Sequence, residues 1–264
     1  MPSTSSGSKR KNELDHNERP AEPAKKRKQF KEKEAHANDN LAEQMNVKST
    51  DSDAPQNIVE GSSGSDNDLS LFLKPEIDGG EVYYIPNFVP KDQANQWYHA
   101  LLTVCPWYHP KLKVYGKKVS QSRSIAVYAR DKNSTMKYSG HTVDLHFDYP
   151  PLLDEIEKKV TERLNESFNH VMLNRYDSGS EYIGKHRDTK ENKVIVSLSL
   201  GAERTFIMTP TKPRLGVVAR RWVLGNGSLL IMKGATQDLW KHEIPKEPKI
   251  KEGRISLTFR QLVS

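Results

Sequence analysis

The pattern of hydrophobic and polar residues divides the chain into a polar first part, a part with two helices and a long part with many strands. Residues 1–68 contain one aromatic residue, Phe30, and few large aliphatic residues. Such a segment buries too little apolar surface to offset the entropy that it would lose on ordering. We therefore predict a disordered tail over residues 1–68 and a folded domain over residues 69–264.

The domain is predicted to open with a strand, a helix and a hairpin. A strand is expected at residues 81–85, which are rich in β-branched and aromatic residues. A helix is expected to begin at Val89-Pro90-Lys91-Asp92 and to end before Pro106. Residues 111–128 alternate between apolar and polar positions, which predicts a hairpin with its turn at Tyr115–Lys118.

The second half of the domain is predicted to consist mainly of strands. This second half follows a predicted helix from Pro151 to Asn165, in which apolar residues recur at a 3.6-residue period. The predicted strands, separated by proline and glycine, are 169–176, 194–200, 204–209, 220–224, 227–232 and 254–260. Helices followed by many short strands favour an α+β fold with an antiparallel barrel or jelly roll. We place the helices in residues 69–165 and the jelly-roll core in residues 166–264.

Composition adds the charge balance and limits the possible partners. The net charge is +7, but residues 1–68 hold 11 basic and 13 acidic side chains, whereas the remainder holds 30 and 21. The positive charge of the domain favours a polyanionic partner, although a merely soluble basic domain would look the same. The single cysteine, Cys105, excludes an internal disulfide. No apolar run approaches the roughly 18 residues of a membrane span, so we expect no membrane partner.

Two basic clusters in the tail predict a nuclear location. Lys9-Arg10-Lys11 and Ala24-Lys25-Lys26-Arg27-Lys28 are spaced like a bipartite nuclear-import signal. Basic clusters in tails are also often solvated or bind nucleic acid loosely, and that alternative stays open.

A short motif in the second half indicates a metal site. His186 and Asp188 are two residues apart and project to the same side of an extended backbone. An imidazole and a carboxylate so placed are two of the three ligands of a two-histidine, one-carboxylate Fe(II) site. The tripeptide alone is weak evidence, because an exposed polar loop is the alternative. His242, followed by Arg254 and Arg260, offers the remaining parts of an iron- and 2-oxoglutarate-dependent oxygenase.

Two strands near the motif carry side chains suited to a dianion. In residues 254–260 two arginines and two hydroxyls alternate with apolar residues, so Arg254 and Arg260 share one face. Arginine binds a carboxylate through two parallel hydrogen bonds and stays charged when desolvated. An edge strand with a basic outer face is the alternative. Asn174 and Tyr176 also share a face and can donate hydrogen bonds to the same anion, although a tyrosine is more often a core residue.

Seven motifs together resemble the AlkB-type Fe(II)/2-oxoglutarate-dependent nucleic-acid demethylases. They are Asn174-Arg175-Tyr176, His186-Arg187-Asp188, Ser197–Ala202, Gly227–Met232, Gly234–Gln237, Trp240-Lys241-His242 and Leu257–Arg260. The resemblance covers about residues 80–262 and is strongest to the eukaryotic members that repair alkylated DNA. It implies a double-stranded β-helix (jelly-roll) core with a nucleotide-recognition hairpin lid.

The resemblance also implies the cofactors and the reaction. His186, Asp188 and His242 would bind Fe(II). The residues that would hold 2-oxoglutarate are Asn174, Tyr176, Arg254 and Arg260, with Arg254 on the distal carboxylate and Arg260 near the metal, where it joins the catalytic set. With O2, the site would hydroxylate the N-methyl group of 1-methyladenine or 3-methylcytosine in DNA, and the methyl group would leave as formaldehyde. We expect a monomer.

The methylated atom lies inside a base pair, so the base must be flipped out of the duplex. In the family a hairpin residue fills the gap, and Val114, Tyr115 and Gly116 match that position. An exposed turn tyrosine is the alternative. The resemblance places Arg123 and Tyr128 among the lid residues and Tyr138, or else Met136, against the flipped base. Phosphate contacts are expected from Arg204 and from the loop that contains Arg214, up to Arg220-Arg221.

One departure from the family concerns the base. Relatives usually follow the His-x-Asp motif with acidic residues that meet the exocyclic amine, whereas Thr189 and Lys190 stand here and Glu191 comes late. The preferred base and strandedness therefore stay open, and an RNA demethylase is the alternative enzyme. A non-catalytic nucleic-acid binder would be expected to lack a ligand, and a protein hydroxylase would have no use for the wedge.

Deletion of residues 1–68 tests the predicted tail. Because the tail lacks the apolar content to fold, turnover in vitro should be nearly unchanged by its removal. The shortened chain, fused to a fluorescent protein, should leave the nucleus. Loss of turnover in a well-folded chain of residues 69–264 would show that the tail belongs to the site.

Overall fold

The computed structural model of the chain describes residues 68–114, 117–135, 137–138, 141–189 and 192–261. For residues 112–114, 117–119, 137–138 and 141–142 it describes the backbone only. The predicted tail up to residue 67 and its two basic clusters lie outside the described residues. So do Tyr115, Gly116, Met136, Lys190 and Glu191 and the side chains of Val114 and Tyr138.

Both predicted helices are present. Helix α1 spans Lys91–Val104 and helix α2 spans Pro151–Leu164. Each follows a proline, and α2 also has proline at its first position, where the missing N–H costs nothing. Helix α2 ends at Asn165, which adopts the left-handed conformation common after a helix. The predicted bounds of both helices are confirmed to within one or two residues.

Strands form most of the regular secondary structure of the described chain. They are β1 Glu81–Ile85, β2 Lys111–Val114, β3 Lys117–Ser120, β4 Ser124–Ala129, β5 Lys137–Tyr138, β6 His141–Thr142, β7 His170–Tyr176, β8 Ile183–His186, β9 Val194–Gly201, β10 Arg204–Pro210, β11 Arg220–Leu224, β12 Ser228–Lys233, β13 Trp240–Ile244 and β14 Arg254–Arg260. A 3-10 turn at Ser70–Phe72 and a short helix α3 at Thr236–Leu239 complete the elements.

The strands form two main antiparallel sheets. The larger has six strands in the order β1-β12-β9-β14-β7-β4, and the smaller has four in the order β11-β10-β13-β8. Strands β2 and β3 form a separate hairpin, and β5 and β6 form another. The fold is therefore mostly β-sheet with few helices. Within the described residues, no helix is long and apolar enough to cross a membrane.

The larger sheet has an apolar face against the helices and a mixed face against the smaller sheet. Strand β14 shows the division: Ile255, Leu257 and Phe259 belong to the core cluster that includes residues of α1 and α2. Arg254 and Arg260, on the alternate positions, line a cavity between the two sheets. Each strand of the larger sheet can serve both layers because successive side chains point to opposite faces. This arrangement confirms the predicted face of residues 254–260.

The strand predictions at 81–85, 169–176, 194–200, 204–209, 220–224, 227–232 and 254–260 are confirmed. The predicted single hairpin over residues 111–128 is wrong. The hairpin is β2–β3 alone, whereas β4 pairs with β7 in the larger sheet. The physical reason is burial, because every residue of β4 is buried and a strand so apolar belongs inside a sheet rather than in an exposed hairpin.

Candidate active site

Three side chains that could bind a metal meet on neighbouring strands of the smaller sheet. His186 ends β8, Asp188 follows two residues later, and His242 lies in β13 directly opposite His186. One ligand atom of each residue lies within 4.8 Å of the others. The His242 Nε2 is 3.5 Å from the Asp188 Oδ2, and the two imidazole centroids are 4.3 Å apart. The structure thus brings together the three residues that the sequence predicts.

Neighbouring groups hold the three ligands in place. The His186 Nδ1 lies 2.9 Å from the Gly184 carbonyl oxygen. Because that oxygen can only accept, Nδ1 carries the proton and Nε2 keeps its lone pair for a metal. The Asp188 backbone N–H donates to the Gln237 Oε1 at 3.0 Å, which fixes the segment after β8 against α3. The His242 ring stacks on Phe206 with centroids 5.5 Å apart.

Burial and nearby charges set the protonation states that a metal requires. Burial alone would raise the pKa of Asp188, but Arg260 and the two histidines outweigh it and lower the pKa to about 2. The Arg260 Nη2 and Nε donate to the Asp188 Oδ1 at 2.5 and 3.1 Å. Burial, followed by the neighbouring His186, lowers the pKa of His242 to about 3, and burial also lowers the pKa of His186. The ligands are therefore one carboxylate and two neutral imidazoles, the forms that bind a metal.

A cavity opens between the sheets beside the three ligands. Its polar wall comes from alternate residues of β7, β9 and β14, and its apolar wall comes mainly from β10, β11, β12 and β13. The polar lining residues are Asn174, Tyr176, Ser197, Arg254, Ser256, Thr258 and Arg260. A space with an open metal-ligand set at one end and cations along one wall suits a small anion that also reaches the metal.

Arg254 carries the anion-binding character of this wall. Its side chain is buried, and the Nη2 donates to the Ser199 Oγ at 2.8 Å. Among the described residues, neither its Nε nor its Nη1 has a hydrogen-bond partner, and burial lowers its pKa to about 10. Unpaired N–H groups on a buried charge cost considerable free energy unless a ligand satisfies them. A buried guanidinium with free N–H groups favours a charged acceptor such as a carboxylate.

Asn174 and Tyr176 complete the polar wall in the predicted place. The Asn174 Oδ1 accepts a hydrogen bond from the Arg123 Nε at 2.7 Å, so its amide N–H2 is left as the donor for the cavity. The guanidiniums of Arg204 and Arg254 each lie 5.4 Å from the centroid of the Tyr176 ring. Arg123, predicted as a lid contact to substrate, is itself buried and orients Asn174.

Two predicted substrate contacts are wrong. Tyr128 is buried in the core cluster on the helix side of the larger sheet, opposite the cavity, so it cannot contact a base. Arg204 is 1% exposed, and its guanidinium is held internally rather than offered to phosphates. It pairs with Glu247 and donates to the carbonyl oxygens of Ser178, Glu181 and Pro245. A pattern of basic residues does not distinguish a buried arginine from a surface one.

The remaining predicted contacts stay predictions. Arg214 lies in a surface loop and is partly engaged, because its Nη1 donates to the Asp78 Oδ2 at 2.9 Å. The residues Val114, Tyr115, Gly116 and Tyr138 fall on undescribed positions or side chains. Conversely, reasoning from the sequence assigned no role to Ser199 or Gln237. Both lie inside motifs that carried the resemblance, but no residue-level signal marked them.

Comparisons with known proteins agree with this geometry. A family model described as "2OG-Fe(II) oxygenase superfamily" matches residues 81–260. The chain is 31% identical over 208 residues to the DNA oxidative demethylase ALKBH2 of Arabidopsis thaliana, covering 69% of this chain and 66% of that protein. It is 35% identical over 162 residues to ALKBH2 of Mus musculus, with 58% and 67% covered.

A third relative is the alpha-ketoglutarate-dependent dioxygenase alkB homolog 3 of Bos taurus. The chain is 31% identical to it over 189 residues, which cover 68% of this chain and 65% of that protein. The chain thus spans about two thirds of the length of the curated relatives that it matches.

Mn(II) titration of the metal-free chain tests the cluster. The wild-type chain should bind one ion, measured by the loss of the free-ion electron paramagnetic resonance signal. Asp188→Ala and His242→Ala should each weaken binding by more than the roughly 10–100-fold that loss of a supporting partner costs. His146→Ala, which lies outside the cluster, should bind as the wild type does. Equal binding by all four proteins would place the metal elsewhere.

Proposed function

The chain belongs to the 2OG-Fe(II) oxygenase superfamily, and from this we propose that it is an Fe(II)- and 2-oxoglutarate-dependent dioxygenase that demethylates bases in DNA. One observation carries the proposal: the three-residue metal cluster opens into a cavity where a buried arginine has two unpaired N–H groups. The relatives named DNA oxidative demethylase support the choice of substrate class.

In the proposed mechanism the residues of the chain divide into three tasks. His186, Asp188 and His242 would hold the iron, and Arg260 keeps Asp188 ionised and pointed toward it. Arg254 would receive the distal carboxylate of 2-oxoglutarate.

Asn174 and Tyr176, on the same wall, would donate hydrogen bonds to the cosubstrate. The bound iron and 2-oxoglutarate supply an oxidation by O2, which yields succinate and carbon dioxide and inserts one oxygen atom into a methyl C–H bond. The resulting N-hydroxymethyl group then leaves the base as formaldehyde.

The proposal extends to the fold. We infer that the two antiparallel sheets form the double-stranded β-helix predicted from the sequence. Its support is the strand order, in which chain neighbours such as β7 and β8, or β12 and β13, lie in opposite sheets around the shared cavity. The metal ligands and the proposed cosubstrate residues all come from one chain, which supports a monomeric enzyme. The basic clusters of the tail support a nuclear location.

Duplex DNA carrying 1-methyladenine or 3-methylcytosine is the proposed substrate. The basic domain supports a polyanionic partner, and the hairpin β2–β3 supplies the element on which a wedge residue would sit. The departure at Thr189 bears on the base: its Oγ1 accepts from the Asn192 Nδ2 at 2.6 Å, so this hydroxyl is already engaged within the chain. RNA is the alternative substrate that the first assay below separates.

A mass-spectrometric repair assay tests the proposed activity. With Fe(II) and 2-oxoglutarate, the chain should remove the methyl group from matched DNA oligonucleotides and release succinate and formaldehyde. Arg254→Met should raise the KM for 2-oxoglutarate by about 10–100-fold, because charged hydrogen bonds worth about 1.5–3 kcal/mol are lost. Arg254→Lys keeps the charge but lacks the planar guanidinium. Its KM for 2-oxoglutarate should lie between those of the wild type and of Arg254→Met.

The same assay can contradict the proposal. Full activity in the presence of an iron chelator would exclude the reaction. Faster repair of matched RNA than of DNA would select the RNA alternative.

Tyr115→Ala tests the duplex preference. A side chain that fills the gap left by a flipped base is useful only where a stack exists to be filled. Repair in double-stranded DNA should therefore fall about tenfold or more, which corresponds to roughly 1.4 kcal/mol, while repair in single-stranded DNA should fall much less. An equal loss on both substrates would mean that Tyr115 shapes the site or the fold. No loss on either would make it an ordinary exposed tyrosine.

A further inference from the structure

A buried histidine lies beside the metal cluster and has no role in the mechanism above. His170 is the first residue of β7, and its side chain is completely buried. Within the described residues, neither of its ring nitrogens has a hydrogen-bond partner. An unsatisfied buried donor or acceptor costs about 1–3 kcal/mol, and native proteins rarely leave two on one ring.

The strand register places this ring on the cavity side of the larger sheet. His170 shares a face with Met172 and Asn174, which line the cavity. Its partner across the sheet is Arg260 on one side and Ala129 on the other. His170 is therefore the neighbour across the sheet of Arg260, which in turn contacts Asp188.

Arg260 has one buried donor without a partner among the described residues. Its Nε and Nη2 both donate to the Asp188 Oδ1, whereas its Nη1 is buried and bonds to nothing among the described residues. Burial, reinforced by Arg260, lowers the pKa of His170 to about 3, so its ring is neutral and has one bare nitrogen that can accept. The Arg260 Nη1 is thus a donor without an acceptor, and the bare His170 nitrogen is an acceptor without a donor. The two residues are paired across strands β14 and β7.

We propose that His170 is a positioning residue: it binds a water molecule that accepts from the Arg260 Nη1, and so holds Arg260 against the metal-binding Asp188. A buried water with two or more polar partners is a normal structural component. The Asp188 carboxylate depends on Arg260 for its orientation, and its other oxygen faces His242. Partners of this kind typically change metal affinity by about 10–100-fold when they are lost.

Replacement of His170 separates positioning from packing. His170→Phe keeps the shape of the ring and removes both nitrogens, whereas His170→Asn keeps a donor and an acceptor. Mn(II) affinity of the His170→Phe protein should fall about tenfold, and His170→Asn should retain most of the wild-type affinity. The matched control is His146→Phe, because His146 contacts the Tyr128 ring away from the metal cluster and its loss should leave affinity unchanged.

A second readout excludes general damage. The metal-free His170→Phe protein should still unfold in one cooperative transition, as the wild type does, because a ring of similar shape and size fills the same space. If that protein does not fold, His170→Leu carries the same test. If the variant that folds, His170→Phe or His170→Leu, binds Mn(II) with unchanged affinity, the proposal is overturned and His170 is only a core residue.

The inference rests on the proposed metal site but on neither its substrate nor its turnover. The Mn(II) titration requires no DNA, oxygen or 2-oxoglutarate. A wild-type chain that binds Mn(II) with the His170 dependence described, yet repairs no base, would refute the proposed function and support the inference. Repair activity together with unchanged metal affinity in the variants would refute the inference alone.

Discussion

The ion pair between Arg260 and Asp188 is the interaction on which the rest of the site depends. It connects the last strand of the larger sheet to the segment that follows β8 in the smaller one, and both side chains are almost fully buried. Burial alone would favour a protonated carboxyl group, and the Arg260 guanidinium makes the largest contribution to keeping the carboxylate the stable form. Removing one member of a buried pair typically costs about 3–5 kcal/mol, because the other charge is left uncompensated.

Around this pair, the larger sheet both supplies apolar side chains to the core and carries buried charged side chains that face the cavity. Its helix-facing side chains, such as Leu257, supply apolar burial, while Arg254 on the alternate face stays desolvated and only partly hydrogen-bonded. The apolar layer on α1 and α2 holds the strands rigidly enough for unfavourable cavity-facing groups to persist. Such groups are expected where a ligand will satisfy them, because binding then recovers the free energy that burial removed.

Much of this architecture could be predicted because the periodicity of apolar residues and the spacing of polar residues indicate helices, strands and the metal site. The 3.6-residue repeat marked α2, the two-residue alternation marked β14, and the spacing of His186 and Asp188 marked the metal site. Strand β8 was missed because none of its positions is fully buried, and β13 was missed because the buried His242 reads as polar. Tyr128 and Arg204 were misplaced because a residue type does not reveal whether its surroundings are solvent or protein. Register and burial decide that, and both depend on contacts between residues far apart in the chain.

The pairing of His186 with His242 across two adjacent strands constrains the lengths of some segments of the chain and leaves others free to change. A one-residue insertion within β8 or β13 would turn a ligand to the opposite face, so the lengths of these strands are constrained by the metal. The loop over residues 211–219, which connects β10 to β11, contributes no metal ligand. Its length and sequence can therefore drift without disturbing the metal, which makes it a place where evolution can change the substrate while the oxidation chemistry is inherited intact.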